Sequence, residues 1–139
     1  MQLEVTRRYS LSALHVLSGE GFSREENLRV FGGCSVLHGH EYLVEVTVAG
    51  PIDASTGLVI GRDELDRIVR ERLLDPLTGC NLSDHFRHTT GEALAGEFFA
   101  LLQSEIHPPA LLERVLIRET AKNSFEFSRG HWKDQTAFS

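Results

Sequence analysis

The stretch Cys34-Ser35-Val36-Leu37-His38-Gly39-His40-Glu41-Tyr42-Leu43-Val44-Glu45-Val46-Thr47-Val48-Ala49 decides how the chain is read. Its second half alternates. Val44, Val46 and Val48 fall on one side, and Leu43, Glu45 and Thr47 on the other. That is the two-residue period of a strand with one buried face. Gly50-Pro51 ends it. His38-Gly39-His40 runs directly into this strand. On an extended backbone, residues two apart point the same way. Two imidazoles therefore converge, and the glycine between them adds no bulk.

Upstream, Gln2 to Ser10 also alternates, with Leu3, Val5 and Arg7 on one side. This predicts a strand continuing towards His15 and pairing with the first. Three histidines without a fourth protein ligand form the open arrangement of a catalytic zinc, whose free position takes water or substrate. Spacing alone leaves another reading open: His38 and His40 as hydrogen-bonding residues at a strand start. Cys34 likewise has two readings. A thiol beside a metal or cation has a lowered pKa and acts as base or nucleophile; otherwise Cys34 is a small residue in a Gly-Gly-Cys turn.

Between these segments, Gly19 to Gly33 is polar and glycine-bearing and is expected to be a long loop. Downstream, Asp53 to Gly57 reads as a turn and Leu58-Val59-Ile60 as a short extension. Arg62 to Leu74 is expected to be a helix, with Leu65, Ile68, Val69 and Leu73 on one stripe. Pro76 and Gly79 break it. Thr90 is placed to cap a second helix from Glu92 to about Ile106. Glu113 to Thr120 alternates again, and Phe125 and Phe127 mark a last strand. The tail after Gly130 has no period and is expected to be loose. The order strand-strand-helix-helix-strand-strand predicts an α+β fold: a four-stranded antiparallel sheet with two helices on one face. Its two open edges favour closing a ring with copies of the chain.

Residues 1–139 suit one domain. With 41% hydrophobic and 24% charged residues the chain has material for a core and is not of the disordered class. A formal charge of −6 argues against nucleic acid as a partner. No apolar run has membrane-spanning length, and Met1 to Arg8 holds no signal-peptide core. Cys34 and Cys80 are too few for a disulfide framework, so a reducing cytoplasm is expected.

Cys34-Ser35-Val36-Leu37-His38-Gly39-His40, preceded by Leu14-His15, resembles the CxxxHGH signature of the 6-pyruvoyl-tetrahydropterin synthase and 6-carboxytetrahydropterin synthase family. Glu25-Glu26-Asn27-Leu28 with Phe31-Gly32 is similar to the loop before that signature in animal members. Ile52-Asp53 with Thr56-Gly57 resembles the turn after the second strand, Thr90-Gly91-Glu92 the start of the second helix, and Glu119-Thr120 the late Glu-Thr pair. These marks follow the family's order from His15 to Thr120. The resemblance implies a tunnelling fold, with trimers closing a barrel and pairing into homohexamers. It implies zinc on His15, His38 and His40, and a reduced pterin held by Glu119, because a carboxylate accepts two parallel N–H bonds from a guanidine-like edge. Thr90 and Glu92 would line the same pocket, and Cys34 would be the base. The implied activity is that of a carbon-oxygen lyase on a dihydroneopterin triphosphate-like substrate, in queuosine or tetrahydrobiopterin biosynthesis.

One departure bears on that activity. The family's base works with an Asp-His pair in a run of the form P-L-D-H-x-N-L. Here the run is Pro76-Leu77-Thr78-Gly79-Cys80-Asn81-Leu82. The frame matches and the pair becomes Thr78-Gly79. The other register, with Leu74-Asp75 on the motif's Leu-Asp, puts Pro76 where histidine belongs. Losing a positioned acid or base costs about 10²–10⁴-fold in rate. Asp84-His85 is a spare Asp-His pair nearby. Two functions are therefore carried forward: a zinc-dependent synthase with weakened activity, and a zinc- and pterin-binding homologue without it or with a different pterin-related reaction.

Overall fold

The structure is a computed structural model and describes residues 2–130; the tail expected to be loose lies outside them. Four strands form one antiparallel sheet in the order β1-β2-β3-β4. They are β1 (Leu3–His15), β2 (His38–Gly50), β3 (Leu111–Arg118) and β4 (Ser124–Ser128). The valine alternation decides which face of β2 is buried: Val44, Val46 and Val48 are fully covered. The β1 residues that share this face near its end are Leu11, Ala13 and His15.

The core lies between that face and the helices. Helix α2 (Arg62–Val69) continues through a π-helical turn, Arg70–Leu74, into a short helix α3 (Asp75–Leu77). The predicted stripe Leu65, Ile68, Val69 and Leu73 is buried. Helix α4 (Gly91–Gln103) starts where expected, with the Thr90 hydroxyl accepting the Ala93 N–H at 3.2 Å. It lies tight on β4. A Cβ on Gly91 would sit 2.0 Å from the Phe125 ring, so only glycine permits this approach.

The opposite face of the sheet is polar. Arg8 pairs with Glu45, Arg114 with Glu4 and Glu126, and the Thr6 and Thr47 hydroxyls meet at 2.7 Å. Both edges, β1 and β4, are unpaired by any further strand among the described residues.

Two local expectations are corrected. Residues 19–33 are not a plain loop: helix α1 spans Arg24–Phe31. Ser23 caps it, and the Glu26 side chain returns to the Ser23 N–H, a capping box that satisfies two otherwise free donors. The helix buries no residue, so the hydrophobic period that usually announces a helix is missing. A helix thus stands between the first two strands. Leu58 to Ile60, expected as a short extension, forms no strand; Val59 and Ile60 bend into the Gly61 N-cap of α2.

Candidate functional site

The pairing of β1 with β2 runs without interruption from Leu3↔Gly50 to His15↔His38. It sets His15 directly across from His38, and His40 follows two residues on along the same face. The three imidazoles cluster, with ring centroids 4.4 to 4.9 Å apart. One nitrogen from each lies within 4.8 Å of the others.

The outer hydrogen bonds orient these rings. His15 Nδ1 lies 2.9 Å from the Thr89 carbonyl, and His38 Nδ1 lies 2.7 Å from the Val36 carbonyl. A carbonyl only accepts, so each Nδ1 carries the proton and each Nε2 keeps a lone pair. His15 is 1% exposed and its Nε2 has no partner. His38 Nε2 and His40 Nε2 are 3.1 Å apart. Nitrogens bound tetrahedrally at zinc distances stand roughly 3.3 Å from one another. Backbone-anchored Nδ1 atoms with converging Nε2 atoms are the arrangement that metal-binding histidines use. The residues present therefore fit a divalent metal. Burial lowers the His15 pKa, the Thr89 carbonyl opposes this, and the neighbouring His38 and His40 add to the lowering. The lowering favours the neutral ring, the form a metal requires.

Glu119 follows β3 immediately. One carboxylate oxygen lies 3.9 Å from His15 Nε2. Burial raises its pKa; His40 and His38 act against this, and the charge of Glu92 adds to it. Glu92, in the exposed first turn of α4, thus faces the same site electrostatically. Thr90 lines a cavity of about 280 Å³ with Val16, Phe31, His88 and Thr89.

The remaining expected residues are not part of the three-histidine cluster. Cys34 is exposed in a 3₁₀ turn, Gly32–Ser35, and its carbonyl accepts the Leu17 N–H at 2.8 Å. Thr78 and Gly79 sit against the free edge of β1. Gly79 N–H bonds the Ser12 carbonyl and Leu14 N–H bonds the Cys80 carbonyl. Thr78 Oγ1 turns back to the Leu74 carbonyl at 2.6 Å. Gly79 has φ +76°, and the space where its Cβ would be is open. With Ser12, Leu14, Gly39, Glu41 and His40 of the histidine cluster it lines a cavity of about 440 Å³. Asp84 is exposed, and His85 borders a separate cleft formed with Glu71, Arg72, Phe86 and Leu101.

Sequence reasoning missed Tyr42. It is fully buried, edge-on to His15 at 5.8 Å and tilted against His40 at 5.5 Å. The two-residue period from His40 carries that signal. The Thr89 and Val36 carbonyls had no signal, since any residue supplies one.

Fold and site together define an α+β protein with a three-histidine, metal-competent centre at one end of its sheet. Residues 4–130 match the family described as 6-pyruvoyl tetrahydropterin synthase, and the chain belongs to that family. The 6-pyruvoyl tetrahydrobiopterin synthase of Drosophila melanogaster is 38% identical over 130 residues, covering 88% of this chain and 77% of the relative. The protein of that name from Homo sapiens is 37% identical over 129 residues, 88% of each chain. The solved 6-pyruvoyl tetrahydropterin synthase of Caenorhabditis elegans superposes with a TM-score of 0.84 at 31% identity, covering 92% of this chain and 96% of that one. The Plasmodium vivax enzyme, at 17% identity and TM-score 0.68, shares the fold.

Proposed function

We propose that this chain is a zinc-dependent pterin synthase homologue that binds a reduced pterin at Glu119 and performs the family's carbon-oxygen lyase chemistry weakly. The observation that carries the reading is the convergence of three oriented histidines, with Glu119 3.9 Å from the buried His15 nitrogen. His15, His38 and His40 would hold the metal. Bound there, zinc would supply Lewis acidity to the side-chain oxygens of a dihydroneopterin triphosphate-like substrate. Glu119 orients the ring through its paired N–H groups, and Thr90 and Glu92 border the pocket. Cys34 is the candidate base.

The weak step is the proton's onward route. The Thr78 hydroxyl is tied to a backbone carbonyl, and Gly79 has no side chain. Neither relays a proton at neutral pH. This favours, as the second reading, a zinc- and pterin-binding homologue without synthase activity or with a different pterin-related reaction. Asp84-His85 would serve as a substitute pair only if a neighbouring copy or a loop movement brought it to Cys34.

The open edges of β1 and β4 support assembly into a homohexamer with pockets between copies. No helix among the described residues is long and apolar enough to cross a membrane. Two free cysteines fit a cytoplasmic setting. The test is a calorimetric titration of the zinc-loaded protein with neopterin. Saturable binding of one ligand per chain supports the reading; absence of binding contradicts it.

A further inference from the structure

Among the described residues, three buried side-chain polar atoms lack a partner, and two of them belong to this site: His15 Nε2 and the Tyr42 hydroxyl. A metal accounts for the first. The second needs its own reason, since a buried hydroxyl without a partner is destabilising. Phenylalanine would fill the same space without that cost.

Strand register supplies the reason. β2 pairs with β3 through Val44↔Ile117 and Leu43↔Arg118. Glu119 is the first residue after the last pair, and the same register continued one step would bring it to the level of Tyr42. Tyr42 and Glu119 also flank the same ring, that of His15. Glu119 has no hydrogen-bond donor among the described residues, although its side chain is only 16% exposed. A donor without an acceptor and an acceptor without a donor therefore border the same ring, His15. The negative charge of Glu119 reaches the phenol, where it adds to the effect of burial in holding the proton on.

We propose that Tyr42 is the positioning residue for Glu119: in the assembled, metal-loaded protein its hydroxyl donates a hydrogen bond to the Glu119 carboxylate. The bond fixes the carboxylate's rotamer and occupies a lone pair pointing inward. The remaining lone pairs then face outward, towards the paired N–H groups of a ligand. Tyr42 touches no ligand itself, because its hydroxyl is sealed from solvent. Its effect on binding rests on the reading of Glu119 as pterin anchor.

The test is Tyr42→Phe, which keeps the ring packed on His15 and His40 and removes only the oxygen. Zinc content is expected to be unchanged. Neopterin affinity is expected to fall about 10-fold, the scale of one charge-assisted hydrogen bond. In a Glu119→Ala background, which leaves no side-chain acceptor, the same change is expected to cost less than about 2-fold, because the pair acts as a unit. Wild-type affinity in Tyr42→Phe with zinc retained overturns the proposal, as does an undiminished effect in the Ala background. A wild type that binds no neopterin refutes the pterin reading instead. A crystal structure of the zinc-loaded wild type then decides: an oxygen–oxygen separation within about 3.0 Å supports the bond, and a separation beyond hydrogen-bond reach overturns it.

Discussion

The histidine cluster and the Thr78-Gly79-Cys80 turn both hang on β1, one on each edge of the strand, and they are built differently. On the inner edge, an unbroken ladder with β2 places His15 against His38, and two backbone carbonyls set the rings. On the outer edge, backbone hydrogen bonds to Ser12 and Leu14 hold a turn in which the Thr78 hydroxyl and the Cys80 thiol bond backbone carbonyls. Register fixes side chains to a fraction of an ångström, and its cost is spread over many residues. A turn is free to change its side chains while keeping its backbone bonds to the strand. Under the proposed function, the histidine half of the centre is the part that tolerates little change, and the Thr78-Gly79 turn is the part in which proton transfer would be weakened.

The largest effect is expected at the ladder. His38→Ala is expected to remove nearly all bound zinc, and Cys34→Ala to leave it in place. Elemental analysis of both proteins checks this, and a full zinc complement in His38→Ala contradicts the ligand assignment.

Rebuilding the turn tests the other edge. Thr78→Asp with Gly79→His is expected to raise turnover of dihydroneopterin triphosphate by up to about 10²-fold, within the range of one positioned acid or base. The side chain of residue 79 would enter open space, but at φ +76° an L-residue is strained. Gly79→Ala alone is therefore expected to lower stability by about 1 kcal/mol, measured by denaturant unfolding, without altering zinc content.

Glu119→Gln removes the charge and leaves one acceptor oxygen. Neopterin affinity is expected to fall about 10- to 100-fold by calorimetry. Unchanged affinity would move the pocket elsewhere.

The smallest effect lies at the far end of β1, where Arg7 grips Asp66 of α2 through two hydrogen bonds and the Tyr9 hydroxyl donates a third. Arg7, and then Tyr9, lower the Asp66 pKa. A carboxylate lowered on folding contributes stability above its ordinary range and loses it as pH falls through its folded value. Asp66→Asn is therefore expected to be slightly less stable than wild type at pH 7, with the gap narrowing on acidification. Thermal unfolding across pH checks the sign, and a gap that widens towards acid contradicts it.

The elements that a period announces were legible in the sequence. The valines of β2 and the stripe of α2 read directly, and the Thr90 cap and the histidine pair followed from spacing. What was not legible shares a cause. Helix α1 buries nothing, so it has no stripe, and only its capping box betrayed it. Tyr42 was hidden because a tyrosine in a strand reads as packing until its hydroxyl is found without a partner. The tautomers of His15 and His38 depend on carbonyls that carry no side-chain signature. Where Asp84-His85 would fall relative to Cys34 depended on the path of a loop, and the structure sends His85 to a different cleft.

The most direct test is a pair of single-turnover and steady-state assays of the zinc-loaded protein with dihydroneopterin triphosphate. The expected result is saturable binding together with turnover about 10²–10⁴-fold below that of a family member retaining the Asp-His pair. Turnover equal to such a member's would contradict it, and would mean that the proton finds a route this turn does not provide.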